Sequence, residues 1–252
     1  MFGGGGVSMA DRRWSKPEIH EALVVLYLRL NGYFTTGLVV HASEWGQNQT
    51  EIDCLAVRHP NHMQPERTIG PSPFLAIGDG RVDLLLCEVK SVAADVGFNE
   101  RLWSDAAVLD SVLQWAGVFA NDEIARVAAQ LRPILKEGLS ATRAQDGVVS
   151  AGARARGLLC CPPATEKELD SGWCLLGSEI LHYANECFNP SARRNSCSTR
   201  YNFKLWGRWL APLVEYFKSV KAGASPSLTE LYGCLGAAEP PVAADAPEAA
   251  RP

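Results

Sequence analysis

Apolar residues along the chain fall into two rhythms, and each predicts its own kind of element. Between Lys16 and Leu30, Ile19, Leu23, Leu26 and Leu30 recur at three- and four-residue spacing, the period of one helical face. Ser15 supplies an N-cap, Pro17 falls in the first turn, and Asn31-Gly32 ends the helix. From Tyr33 to Val40 the chain turns aromatic and β-branched, as a strand does. The run TEIDCLAVRH (50–59) alternates, with Ile52, Cys54 and Ala56 on one face and Glu51, Asp53, Leu55 and Val57 on the other. A third strand reads DLLLCEVK from Asp83, and its four consecutive apolar residues, Leu84 to Cys87, imply full burial.

Residues 59–80 carry Pro60, Pro65, Pro71 and Pro73 and read as a long loop or insertion, with Gly78-Asp79-Gly80 turning the chain into the third strand. Helical periodicity returns over 103–120, capped by Ser104 or Asp105, with Ala106, Leu109, Leu113 and Val118 on its apolar face. It returns again over 122–137. Arg156–Cys161, stopped by Pro162-Pro163, and Trp173–Leu176 are short strands. A helix near 178–188 and an amphipathic one over 203–221 follow, and Pro212 must open or kink the latter. This order predicts an α/β fold, a central mixed sheet flanked by helices. Residues 1–13, with Gly3 to Gly6, read as a flexible leader, residues 14–222 as the domain, and 223–252 as a linker and disordered tail. From Gly236 that tail has seven Ala and four Pro in 17 residues.

Composition narrows the setting. At 252 residues, 47% apolar and 21% charged, the chain is ordinary for a globular domain. Its longest apolar run, Ala22 to Leu28, is far short of the roughly 20 residues that span a bilayer, so no membrane partner is expected. The eight cysteines contain no C-x-x-C pair, and Cys54 and Cys87 sit in apolar runs, which points to a reducing, cytoplasmic compartment. Net charge is −4, but it is unevenly spread. Residues 191–221 hold seven Lys or Arg against Glu215 alone, a local +6 that leaves −10 on the rest of the chain. Such a segment suits a polyanion. Arg193, Arg194, Arg200 and Lys204, interleaved with Tyr201, Phe203, Trp206 and Trp209, are the candidate nucleic-acid contacts. Trp209, Leu213 and Phe217 also recur at helical spacing, as core residues would.

The third strand ends in chemistry. Residues i and i+2 of a strand share a face, so Glu88 and Lys90 are neighbours where the apolar run gives out. If the second and third strands pair as an antiparallel hairpin, Asp53 can sit across from Glu88. Two carboxylates and an ammonium in a partly dry site call for compensation, which a divalent metal such as Mg²⁺ or Mn²⁺ provides. That combination equips a site for metal-assisted attack on a phosphodiester. Glu88-Val89-Lys90 is the chain's only Asp/Glu-x-Lys triplet.

Asp53…Glu88-Val89-Lys90 resembles the motif of the PD-(D/E)XK nucleases, the restriction-endonuclease-like superfamily. The resemblance is nearest to Holliday-junction resolvases and Mrr-type restriction enzymes, which carry an acid in the first helix about three turns before a Gly-aromatic pair. Here Glu21 stands eleven residues before Gly32-Tyr33-Phe34, and Gln114 occupies the place of a Gln in the helix after the Glu-x-Lys strand. Ile52 stands where the family's Pro precedes the Asp, and the long gap from Asp53 to Glu88 requires the 59–80 insertion to loop out. The resemblance implies a restriction-endonuclease-like core and a Mg²⁺-dependent endonuclease acting on DNA in preference to RNA, in a restriction or anti-phage setting. It implies Asp53, Glu88 and the Val89 carbonyl as metal ligands, Glu21 on metal or its water, Lys90 positioning the attacking water, and Gln114 in support. Glu51, on the face of Asp53, is a substitute ligand.

Other readings stay open from the residues alone. Glu88 and Lys90 also make a strand-end salt bridge, Glu21 a solvated helix residue and Gln114 a surface amide. The chain as a whole also fits an inactive nuclease-like binding or assembly module, or a nucleic-acid-binding protein whose chemistry resides in a partner chain; a homodimer or a partner subunit is open on any of these readings. His41, His59 and His62 receive no role.

Overall fold

The computed structural model describes residues 14–41, 48–64, 69–78, 80–169, 173–189, 207–221 and 223–237. Helix α1, Lys16–Leu30, begins as predicted. The Ser15 hydroxyl accepts the Glu18 N–H at 3.3 Å while the Glu18 carboxylate takes the Ser15 N–H at 2.8 Å, a reciprocal capping box. The helix is buried on more than the one predicted face, without interruption from Ala22 to Leu28. An all-round apolar helix belongs in an interior. Here α1 lies between the sheet and two later helices, α5 (Gly177–Phe188) and α6 (Gly207–Ser219).

The sheet is mixed and six-stranded. Strands β1 (Phe34–His41), β2 (Asn48–Arg58) and β3 (Val82–Val89) form an antiparallel meander. The chain then crosses through α2 (Glu100–Ser104), α3 (Ala106–Ala116) and α4 (Asn121–Glu137), which make the second helical layer. After the short β4 (Val148–Ser150), strand β5 (Ala153–Cys161) runs parallel to β3, and β6 (Cys174–Leu176) runs parallel to β5. The order is β1-β2-β3-β5-β4, with β6 also on β5. Every residue of β5 is buried, as expected for a strand covered by helices on both faces. Gly157 permits this closeness: a Cβ there would lie 2.5 Å from the Leu135 side chain and 2.6 Å from Phe98, so only glycine lets α4 press onto the strand.

Four expectations change. The helix predicted over 103–120 is two helices. Asp105 caps the second through a 3.0 Å bond from the Ala107 N–H, and Gly117, at φ 63°, ends it in a left-handed turn before Val118. Its buried face is Val108, Leu109, Val112 and Leu113, and Ala106 is exposed. Strand β4 was not anticipated. Nor was α7, Leu228–Leu235, inside the segment read as a linker; its Leu231 is fully buried, so the packed domain runs past residue 222. The leader at 1–13 and the residues beyond 237 lie outside the described residues.

The 59–80 insertion is clamped where it is described. The Ser72 N–H donates to Asn31 Oδ1 at 2.7 Å and its hydroxyl to Glu179 Oε1 at 2.6 Å. The Trp173 indole donates to the Phe74 carbonyl at 3.3 Å, and Arg156 and Arg154 donate to the carbonyls of Leu75 and Ala76. Those arginines come from β5 and meet Asp83 of β3. Arg154 Nε lies 3.0 Å and Arg156 Nε 3.1 Å from Asp83 Oδ1. Oδ2 accepts a second Arg156 nitrogen and the Tyr33 hydroxyl, the latter at 2.5 Å. Arg156 is wholly buried and stacks on Trp173 at 4.6 Å. A guanidinium in an interior persists only when its charge and donors are met, and this network meets them.

Candidate functional site

Antiparallel pairing of β2 with β3 aligns Cys54 with Cys87, which sets Asp53 opposite Glu88 at the end of the ladder. The strand alternation then places both carboxylates on the α2–α4 face, with Leu55 and Leu86. Asp53 does more than face its neighbour. Its Oδ2 accepts the Val89 N–H at 2.7 Å, so a side chain replaces the backbone acceptor where the ladder stops. Lys90 Nζ lies 2.7 Å from Glu88 Oε1, the i, i+2 contact expected of the strand end.

Glu88 is only 6% exposed. Burial raises its pKa most strongly. The Lys90 hydrogen bond and charge pull it back down, the Asp53 charge raises it, and the Asn99 N–H lowers it; the net shift is upward. Its second oxygen, Oε2, is buried and, among the described residues, makes no hydrogen bond of normal geometry. Glu21, half-buried on α1, is raised first by burial and then by the charges of Asp53, Glu51 and Glu18. Asp53 is thus the charge that both Glu21 and Glu88 feel; Glu51 acts on Glu21, and Lys90 is the ion-pair partner of Glu88. Gln114 is exposed near the end of α3, and no hydrogen bond joins it to this group among the described residues.

The donor set fits a hard divalent cation in one respect and constrains it in another. Crowded carboxylates with an unpartnered buried oxygen are what such a cation relieves. Among the described residues, no three His, Cys, Asp or Glu side chains converge on a metal-binding point. An ion held between Asp53 and Glu88 would be completed by a carbonyl and water, a set that suits Mg²⁺.

A second constellation adjoins the first and was not anticipated. His20, next to Glu21, is 2% exposed; its Nδ1 lies 2.8 Å from Ser91 Oγ and its Nε2 2.5 Å from the Tyr232 hydroxyl. Burial first, then the Lys16 charge, lowers its pKa to about 4, which leaves the imidazole neutral near pH 7. The sequence offered little signal for it, because the partners lie 71 and 212 residues away.

The nucleic-acid candidates Arg193, Arg194, Arg200 and Lys204 lie outside the described residues, as do Tyr201, Phe203 and Trp206. Of the helical triplet, Leu213 and Phe217 are fully buried, whereas Trp209 remains 42% exposed. Among the described residues, no helix is long and apolar enough to cross a membrane. In comparisons with known proteins, the chain matches no family model, no curated protein and no solved structure.

Proposed function

We propose that the chain is a metal-dependent nuclease that hydrolyses phosphodiester bonds of DNA, built on a restriction-endonuclease-like core. The observation that carries this reading is Asp53 opposite Glu88 at the strand end, with Glu88 Oε2 buried and, among the described residues, without a hydrogen bond of normal geometry. The mixed sheet between two helical layers supports it, as does Glu21 near Asp53. Asp53, Glu88 and the Val89 carbonyl would hold Mg²⁺ or Mn²⁺, with Glu21 or Glu51 beside them. When bound, the ion supplies Lewis acidity to the phosphodiester. Lys90 would orient the attacking water and help take its proton. Arg193, Arg194, Arg200 and Lys204 would neutralise backbone phosphates.

A non-cleaving binding module is the second reading, and a specific feature favours it. Glu88 Oε1 is already satisfied by Lys90, and Asp53 Oδ2 by the Val89 N–H. Calorimetry with Mn²⁺ and cleavage of a DNA duplex separate the two. On the first reading, Asp53→Ala and Glu88→Ala each lose both metal and cleavage, while Lys90→Ala binds metal and does not cut. A wild type that takes up no Mn²⁺ at millimolar concentration favours the module.

A further inference from the structure

Two large aromatic side chains that stay exposed, Phe34 at 67% and Trp209 at 42%, line one open groove of about 520 Å³. They arrive from β1 and α6. Val25 of α1 and Leu210 of α6, both buried, form its floor, and Arg29 and His62 are part of its lining. The wall at His62 depends on a glycine. Gly32 stands at φ 85°, and a Cβ there would strike the His62 ring, so the imidazole lies directly on the backbone just past α1. The turn that carries His62 is held by its N–H, which donates to the His59 carbonyl at 3.2 Å, and by Arg58, which donates to the His62 carbonyl at 3.4 Å. Phe34 meets the His59 ring edge-on at 6.0 Å.

The lining selects its ligand. The volume falls inside the roughly 300–1,000 Å³ of small-molecule pockets. Aromatic walls reward a flat ring, which stacks on them. No carboxylate lines the groove among the described residues, and its one permanent charge is the Arg29 guanidinium. Aromatic rings alone would attract an ammonium ligand, but here it would meet a positive charge with nothing to offset it. A flat ring attached to an anion satisfies both features, and a nucleobase on its phosphate has that chemistry. Trp209 belongs to the 191–221 segment, whose net charge of +6 suits a polyanion better than a single phosphate. Inside a duplex a base is already stacked and paired, so the base that enters must be unpaired.

We propose that this groove is a second binding site, separate from the carboxylate pair, for an unpaired base of a single DNA strand. Trp209 and Phe34 are its stacking surfaces, and Arg29 meets the adjoining phosphate. The choice of DNA rests on the nuclease reading above, whereas the groove itself needs no metal. Between Ile19 and Leu30 only Glu21 and Arg29 of α1 escape burial, and eight residues of helix set them about 12 Å apart along its axis. The base site is therefore well removed from Glu21.

Fluorescence anisotropy of the full chain with a labelled short oligothymidylate, in EDTA to exclude metal, tests the assignment. Trp209→Ala should bind about tenfold more weakly, the share of one lost stack, and Phe34→Ala should also weaken binding. Both side chains are exposed, so circular dichroism should find the fold unchanged. Trp209→Phe should restore most of the affinity. On an abasic strand of the same length, Trp209→Ala and wild type should bind alike. The slope of log affinity against log salt should not move in Trp209→Ala, and Arg29→Gln should flatten it by about 0.7. Wild-type affinity in both Trp209→Ala and Phe34→Ala, or an equal loss on the abasic strand, overturns the base site; an unchanged slope in Arg29→Gln overturns the phosphate contact. Thymidine monophosphate binding as tightly as the strand overturns the choice of a polymer. A wild-type dimer that Phe34→Ala dissociates would seat a second copy in the groove and overturn the proposal. A wild type that binds the strand through Trp209 but takes up no Mn²⁺ loses only the nuclease reading. One that binds and cuts duplex yet is indifferent to Trp209→Ala loses only the groove, and one that binds neither strand nor duplex loses both.

Discussion

Replacing Asp83 by Asn should be among the most destabilising single-atom changes in this protein. The carboxylate accepts four hydrogen bonds, two from Arg156, one from Arg154 and one from Tyr33. Asn offers one oxygen in place of two and turns an NH₂ group toward donors that have nothing to give it. Two buried guanidiniums lose their counter-charge together, and Arg156 has no exposed surface through which to recover solvation. Breaking a buried ion pair from one side costs about 3–5 kcal/mol. Against the roughly 5–15 kcal/mol of a typical domain, that is a large share. Urea unfolding followed by circular dichroism should show the midpoint falling with the slope unchanged. A cycle with Arg156→Met adds a second check. With the cation gone, Asp83→Asn should cost at least about 1 kcal/mol less than in the wild type, because the two residues are in direct contact. A loss below about 1 kcal/mol for Asp83→Asn, or strict additivity in the cycle, would refute the claim that this network holds β3, β5 and the 69–78 segment together.

Other tests address other parts of the molecule. Because folded His20 titrates at about 4, below its ordinary 6.5, the unfolded chain takes up a proton that the folded one refuses as pH falls through that window. Its contribution should lower stability by about 2 kcal/mol at pH 5 relative to pH 8, and His20→Gln should remove that slope; parallel pH profiles would count against it. Lys90→Met removes the main influence lowering the Glu88 pKa, so a carbon-detected titration should find the Glu88 midpoint higher than in the wild type, and a lower one would contradict the pairing. Leu231→Ala should cost about 2 kcal/mol, and ending the chain at residue 226 more, whereas no change would mean α7 is not docked. Changing Arg193, Arg194, Arg200 and Lys204 to Glu should flatten the slope of log affinity against log salt by roughly 0.7–0.9 per lost phosphate contact. An unchanged slope would put the nucleic acid on another face.

What could be read in advance was whatever depended on neighbours in sequence. Alternation in TEIDCLAVRH and the apolar run before Glu88 put Asp53 across from Glu88 on condition that the two strands pair as an antiparallel hairpin, and the observed register meets that condition. The Ser15 cap likewise needed only three residues of context. Errors arose where a local signal was outweighed or missing. The apolar rhythm continued through 117–120, but Gly117 closed α3 in a conformation that glycine adopts readily. Strand β4 has three residues, too short for a period to show. Asp83 read as the polar start of a strand, because its arginines arrive 71 and 73 residues later. His20 sat unremarked inside an apolar helix for the same reason.

The His20–Tyr232 contact also has a consequence in time. A ribosome adding about 5–20 residues per second needs roughly 10–40 s to travel the 212 residues between them. The three-stranded meander emerges early, but β5, which extends the sheet beyond β3, and the helices that cover α1 come late. Through that interval the apolar run Ala22–Leu28 has no finished pocket to enter. The nascent protein thus depends for tens of seconds on whatever shields that helix, and a pause in translation before residue 228 would lengthen the exposure without altering the final structure.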